Sequence, residues 1–327
     1  MSKLVTIYGG SGFVGRYIAQ RMAAEGWRVR VAVRSPNEAL HVKPYGAVGQ
    51  VEPAFCNIRD DASVARAMQD ADVVVNCVGV LNDLGKNGFA AVQAEGATRI
   101  ARLAAEHGIL RMVHLSAIGA DAGARSAYAR SKAQGEKGVL LHMPDAVILR
   151  PSIVFGTEDQ FFNRFAAMTR MGPLLPIAGA NTRFQPVYVD DVARAAVAGI
   201  TGLAKPGLYE LGGPDTESFR ELMHRMLRVI HRRRIVVGLP FWVARTMAQV
   251  LDMLKFVSFQ LFANNILTRD QLLNLRNDNV VSDDARGFED LGIEPVSMEA
   301  ILPEYLWKFR PSGQYDEIKD SAKNLRT

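Results

Sequence analysis

A strand-like run over residues 4–8 breaks without a spacer into Gly9-Gly10-Ser11-Gly12-Phe13-Val14-Gly15, and residues 13–25 then follow at helical spacing. Glycine lets the backbone approach a ligand with no Cβ in the way. A helix N-terminus adds unpaired N–H groups and the positive end of its dipole, so the turn suits a pyrophosphate. The GxxGxxG pattern at a strand-to-helix turn marks a Rossmann-type dinucleotide cradle; a tight turn without a ligand is the alternative.

The same alternation continues. Strand-like runs at residues 4–8, 29–33, 51–55, 73–77, 112–115 and 147–149 are separated by helical ones near 13–25, 62–69, 90–107 and 127–142. This predicts an α/β fold, a Rossmann-type doubly wound parallel sheet with a smaller, mostly helical C-terminal region. After Pro151 the pattern loosens into Gly- and Pro-rich loops around helices near 190–202 and 219–231. The reading divides the chain into a dinucleotide-binding core (1–155), a smaller α/β lobe interleaved with it (156–238) and a helical C-terminal region facing a membrane or a partner (239–327). In that last region Pro240 reads as the first residue of a mostly apolar helix, 241–257, followed by a charge-free stretch, 256–268.

With 327 residues, 48% of them hydrophobic, the chain can bury a large core and is neither disordered nor fibrous. No apolar run reaches the roughly 20 residues a spanning helix needs, so membrane contact is expected to be peripheral. The opening MSKLVTIYGG enters a strand at once, so no targeting segment is expected unless one has been removed. A net charge of +5 suits an acidic partner: phosphates, anionic lipid or an acidic protein. The 39 Lys and Arg residues are spread widely, so no nucleic-acid partner is expected. His231-Arg232-Arg233-Arg234 either balances a helix C-terminus or meets lipid phosphates. Cys56 and Cys77 read as small buried hydrophobes in a reducing compartment, and no histidine spacing suggests a metal site.

Arg34 closes the second strand, where an NAD binder usually places an acid for the ribose 2′-hydroxyl. A guanidinium there pairs with a 2′-phosphate, which favours NADP(H); a solvated surface arginine is the alternative. Ser116 ends the fifth strand, and Tyr128 and Lys132 share a face of the next helix. A phenol needs a nearby cation to work as an acid or base at neutral pH, and Lys132 can supply it while binding a ribose. The set reads equally as a catalytic triad or as a cofactor-holding pair beside a serine.

Taken in order, GGSGFVG, Ser116, Tyr128-Ala-Arg-Ser-Lys132 and Arg150-Pro-Ser-Ile-Val-Phe-Gly156 resemble the atypical, extended short-chain dehydrogenase/reductases. Within them, residues 149–166 (LRPSIVFGTEDQFFNRFA), 182–191 (TRFQPVYVDD) and 209–213 (YELGG) are similar to the NADPH-binding accessory subunits of respiratory complex I and their bacterial relatives. The resemblance runs from the first strand to about Arg310. It implies a subunit docked among complex I subunits near the membrane and the quinone site, keeping NADPH tightly as a structural cofactor. The place implied is peripheral, on the cytoplasmic face of a bacterial inner membrane or on the matrix side in a eukaryote.

Carried over by position, Gly9, Gly10, Ser11, Gly12, Phe13, Val14 and Gly15 would cradle the pyrophosphate and Arg34 the 2′-phosphate. Asn57 and Ile58 would flank adenine, Val78 and Gly79 would line the ribose, and Pro151, Ser152 and Ile153 would pass the nicotinamide. Tyr128 and Lys132 would hydrogen-bond its ribose, with Ser116 beside them. Two departures from the extended enzymes matter. Asn57 replaces a common acid, though its amide oxygen can still accept the adenine amine. Only eleven residues separate Ser116 from Tyr128, a short wall for a substrate. The expectation is therefore a non-catalytic NADPH-binding subunit. A free NADP-dependent oxidoreductase or epimerase using Ser116, Tyr128 and Lys132, and a redox-sensing regulator, are the alternatives.

Overall fold

The computed structural model describes residues 2–81, 83, 85–246, 269–311 and 313. Most of the expected apolar helix 241–257 and the charge-free stretch up to residue 268 lie outside the described residues. The chain parts into two compact units.

The first unit is built from the described residues of Met1–Ser152 together with Val189–Gly212 and Val281–Pro295. Its strands β1 (Leu4–Tyr8), β2 (Arg28–Val33), β3 (Val51–Phe55), β4 (Val73–Asn76), β5 (Arg111–Leu115) and β6 (Val147–Pro151) alternate with helices α1 (Phe13–Ala24), α2 (Asp61–Met68), α3 (Glu95–Glu106) and α4 (Ala127–His142). A seventh strand, Gly207–Leu211, lies beside β6, and the order across the parallel sheet is Gly207–Leu211, β6, β5, β4, β1, β2, β3. The chain runs outward through β2 and β3, then returns to the other side of β1 with β4. That reversal opens a crevice at the C-terminal ends of β1 and β4, the place where such sheets hold ligands.

The sequence explains these elements. LVTIY of β1 is buried at every position, as a central parallel strand covered on both faces must be. Gly15, Ile18, Ala19, Met22 and Ala23 form the buried stripe of α1 at three- and four-residue spacing. Helix Val189–Thr201 packs against α1, where Arg21 makes a bidentate pair with Asp190.

The seventh strand escapes a periodicity reading because GLYEL carries a carboxylate in its middle. Glu210 is nonetheless buried, paired with Arg150 of β6 and accepting the Ser282 N–H at 2.9 Å. Residues 281–295 are held to this edge strand, with the Glu210 N–H donating to the Arg286 carbonyl. The stretch read as one C-terminal region is therefore divided between the two units.

The second unit comprises Ile153–Tyr188 with the described residues of Gly213–Val280 and those from Val296 on. It contains three two-stranded sheets and the helices Phe162–Met168, Phe219–Val229, Arg269–Asn274 and Met298–Leu306. Phe161, Phe162, Phe165, Phe184 and Phe219 stack edge to face or tilted in its core, adjoining rings lying 5.0–6.3 Å apart. Ser218 and Glu221 form a reciprocal capping box at the head of Phe219–Val229. Buried Asp159 accepts the Tyr305 hydroxyl, and burial raises its carboxyl above the usual range.

Pro240 is not the first helical residue. Helix begins at Phe241, and the Ala244 N–H closes the first turn on the Pro240 carbonyl at 3.1 Å, so Pro240 caps the helix from outside. Among the described residues, no helix is long and apolar enough to cross a membrane.

Candidate functional site

Gly9 takes φ +76°, a left-handed conformation that costs a residue with a Cβ. Its N–H bonds the Ala32 carbonyl at 3.0 Å, tying the loop to β2, and the Gly12 N–H bonds the Gly9 carbonyl at 3.0 Å. Gly12 heads α1 with no side-chain cap, so the first turn offers its N–H groups to whatever lies in the crevice. A Cβ on Gly15 would strike the Gly9 carbonyl oxygen and stand 2.7 Å from the Gly10 Cα. Only glycine lets the helix start so close to its own loop. Arg16 donates to the Ser11 carbonyl at 3.1 Å, a cation laid across the turn that the sequence reading did not single out.

The other expected residues follow the C-terminal ends of successive strands. Arg34 comes directly after β2, exposed, with no salt bridge among the described residues. Asn57 follows β3; its side-chain oxygen accepts the Arg59 N–H at 3.2 Å, which leaves a second lone pair for a ligand. Ile58 is buried against α3. Val78 and Gly79 follow β4, Ser116 follows β5, Pro151 ends β6 and Ser152 follows it. Ile153 falls in the second unit.

Lys132 joins several of these. Its ammonium donates to the Leu115 carbonyl at 3.1 Å, lies 6.0 Å from the Tyr128 ring centre, and would stand 3.7 Å from a Cβ on Gly79. Burial lowers its pKa to about 8, opposed by the negative charge of Glu136 and by Cys77. Ser116 Oγ is buried with no partner among the described residues. A hydroxyl in that state is costly unless a ligand completes it. The Tyr128 ring is held edge-on by Phe89 at 5.7 Å. Burial pushes the Cys56 thiol up to about 11 and the Cys77 thiol up to about 12, so neither is a nucleophile at neutral pH.

Three supports were not legible as site residues. Gln93, buried in a π-helical turn (Ala90–Ala94), donates to the Val80 carbonyl at 2.6 Å and accepts the Ser131 hydroxyl at 2.9 Å. It clamps the segment after β4 to α4. Its signal was a lone amide in an apolar run, which is weak without the fold. Glu136, one turn beyond Lys132, forms a bidentate pair with Arg150 at 2.8 and 2.6 Å.

His114, buried beneath Ser116, faces the Asn76 amide at 3.1 Å, while the Asn76 oxygen accepts the Val78 N–H at 3.0 Å. The amide therefore presents its NH2, and the imidazole accepts at Nδ1 and carries its proton on Nε2. Burial, then the charge of Lys132, lowers the His114 pKa from 6.5 to about 3. Between those values the unfolded chain binds more protons than the folded one, so stability falls as pH drops from about 6.5 toward 3. His114→Asn should flatten that acid limb in thermal melts taken across this pH range; an unchanged limb would exclude His114 as its source.

A profile of the NAD dependent epimerase/dehydratase family matches residues 5–212. A solved structure of DesIV, a dTDP-glucose 4,6-dehydratase from Streptomyces venezuelae with NAD and TYD bound, shares the fold. Its TM-score is 0.71 at 20% identity, over 96% of this chain and 97% of that one. Two relatives are much closer in sequence. The mitochondrial NADH dehydrogenase [ubiquinone] 1 alpha subcomplex subunit 9 of Arabidopsis thaliana is 37% identical over 95% of this chain and 79% of its own length. The mitochondrial 40 kDa subunit of NADH-ubiquinone oxidoreductase from Neurospora crassa is 30% identical over 98% and 83%. The glycine cradle, the unpartnered Ser116 and the buried Lys132 thus sit in a chain that belongs to the NAD dependent epimerase/dehydratase family and, within it, to the family of NADH dehydrogenase alpha subcomplex subunit 9.

Proposed function

We propose that this chain is an accessory subunit of respiratory complex I that keeps NADPH as a structural cofactor and turns no substrate over. The observation that carries this reading is kinship along 95% of the chain with a named NADH dehydrogenase subunit. The subunit sits peripherally where the hydrophilic arm meets the membrane, on the cytoplasmic face in a bacterium or the matrix face in a mitochondrion. Contact with anionic lipid, through the cations that follow Phe219–Val229, belongs to the same reading.

In this reading Gly9, Gly10, Ser11, Gly12, Phe13, Val14 and Gly15 hold the pyrophosphate on the head of α1, with Arg34 on the 2′-phosphate. Asn57 and Ile58 take the adenine, and Val78 and Gly79 the ribose near it. Lys132 and Tyr128 hold the nicotinamide ribose with Ser116 beside them, and Pro151, Ser152 and Ile153 pass the ring. A bound nicotinamide supplies hydride chemistry; these residues supply orientation. The short segment supports retention over turnover. It turns straight back on itself through the Ala124 N–H to the Asp121 carbonyl and the Gly123 N–H to Asp121 Oδ1, at 3.3 and 2.9 Å.

The reading is tested by solubilising membranes, separating complexes on native gels and locating the chain; recovery only from the soluble fraction would sink it. Cofactor choice has its own test. Arg34→Glu should weaken NADPH binding about 10–100-fold, the worth of one charge-assisted hydrogen bond, and leave NADH within a few-fold. Equal losses for both nucleotides would show that Arg34 does not read the 2′-phosphate.

One observation favours a second reading. Ser116 Oγ is buried and unpartnered, and Lys132 titrates near 8 beside Tyr128, as a working NADP-dependent oxidoreductase or epimerase requires. Steady oxidation of NADPH by added carbonyl compounds, lost in Tyr128→Phe, would establish it.

A further inference from the structure

The second unit gathers more cations in one place than the run after Phe219–Val229 announces. Arg232 Nε donates to the Phe309 carbonyl at 2.8 Å, Arg234 Nε to the Thr169 carbonyl at 2.9 Å, and Arg170 Nη2 to the Lys308 carbonyl at 2.8 Å. The buried Phe309 ring is a shared platform, with the Arg170 guanidinium 4.9 Å and the Lys308 ammonium 5.4 Å from its centre. Burial, then the nearby charges of Arg234 and Arg170, hold the Arg232 guanidinium below its ordinary pKa. Three segments distant in sequence thus bring together Arg170, Arg232, Arg233, Arg234 and Lys308. Among the described residues, no carboxylate forms a salt bridge with any of the five.

The carbonyl hydrogen bonds fix these cations in place, and the mutual repulsion that remains is relieved when an anion joins them. The carbonyls take Arg232 at Nε, Arg170 at Nη2 and Arg234 at Nε and Nη1, which leaves further N–H groups on each guanidinium for phosphate oxygens. Beside the cations the surface is apolar. Met171 follows Arg170 and is 79% exposed; Ile235 follows Arg234, is 64% exposed, and pairs in register with Leu174, itself 55% exposed. Trp307, next to Lys308, is exposed as well. An acidic protein segment would match the charge alone. Cations flanked by exposed Met, Leu, Ile and Trp match a layer of phosphates lying above acyl chains.

We propose that Arg170, Arg232, Arg233, Arg234 and Lys308 form a binding site for the phosphates of an anionic phospholipid surface, with Met171, Leu174 and Ile235 meeting its apolar layer. This rests on the peripheral-membrane reading above and fixes which residues make the contact.

The test is flotation of the purified full chain with phosphatidylcholine vesicles, with and without phosphatidylglycerol. The chain should float only with the anionic vesicles and be released by salt. Arg233→Gln with Lys308→Gln removes two charges whose side chains donate no hydrogen bond to the described chain, so folding is spared. At roughly 1 kcal/mol per basic residue, this variant should lose about 30-fold in partitioning. Equal flotation with neutral vesicles, or no loss in the variant, overturns the proposal. So does release by inorganic phosphate where chloride of equal ionic strength has no effect, which would mark a free-phosphate site. The same variant run on native gels separates the two readings. Assembly into the complex with vesicle binding lost supports the lipid site. Loss of assembly with vesicle binding kept makes the cluster a protein contact and overturns it. Wild-type chain that binds anionic vesicles but never enters the complex sinks the complex I reading and leaves the lipid site standing.

Discussion

Gly15→Ala should release the nucleotide and lower the melting temperature by about 4–5 °C. The added methyl would meet the Gly9 carbonyl and the Gly10 Cα, backbone atoms that cannot swing aside as a side-chain end could. Overpacking of this kind costs about 3 kcal/mol, which in a chain of this size shifts the midpoint by that much. The second consequence is chemical. Pushing α1 away from the turn moves the N–H groups of its first turn away from the place proposed for the pyrophosphate, where they would form the anion site. Nucleotide released by denaturation and quantified by chromatography reads this directly. A variant that melts normally and still carries one nucleotide per chain would show that the helix start does not hold the cofactor.

Glu136→Gln is the other large effect. Glu136 is buried and holds Arg150 through both carboxylate oxygens, while Glu210 reaches the same guanidinium only at 3.4 Å. Removing Glu136 leaves Arg150 with only the longer Glu210 contact and costs about 3 kcal/mol. Because Arg150 also pairs with buried Glu210, only the triple variant Glu136→Gln/Arg150→Met/Glu210→Gln removes every charge of the cluster and should recover most of that loss. Glu136 also lies one turn from Lys132 and supports its positive charge. In Glu136→Gln the ammonium therefore titrates below its present value near 8, and nucleotide retention should fail at lower pH than in the wild type. Denaturant melts of the two variants, with nucleotide retention measured against pH, check both arms. A single variant as stable as the wild type would mean that the pair contributes no stability.

These two residues also show what the sequence could and could not reveal. Gly15 was legible because the need for it is local: a strand, a turn and a helix contiguous in the chain, read from spacing alone. Strands β1–β6 and helices α1–α4 of the first unit were legible for the same reason, and β3 and α4 begin and end where their patterns do. Glu136 and Gln93 were not legible. Each acts on residues 13–14 positions away or on another strand, and a buried charge or amide looks like a surface residue until its partner is in place. The seventh strand was hidden by the same carboxylate chemistry, since Glu210 is tolerable there only with Arg150 beside it and Ser282 N–H above it. In the second unit the arginines after Phe219–Val229 were visible as a run. Their convergence with Arg170 and Lys308 depends on backbone carbonyls that no side-chain pattern reports.

The cradle holds equally well for a dehydrogenase and for a subunit that keeps its nucleotide, so geometry around Gly9 to Gly15 does not separate retention from turnover. What separates them is the fate of the cofactor in the assembled protein. The most direct measurement is to isolate the complex from solubilised membranes by native separation, release its nucleotide and identify it. Retention as a structural cofactor predicts NADPH in a one-to-one ratio with this chain, undiminished after prolonged incubation with carbonyl substrates. A complex lacking this chain, a chain carrying NAD(H), or NADPH consumed by added substrate would contradict it.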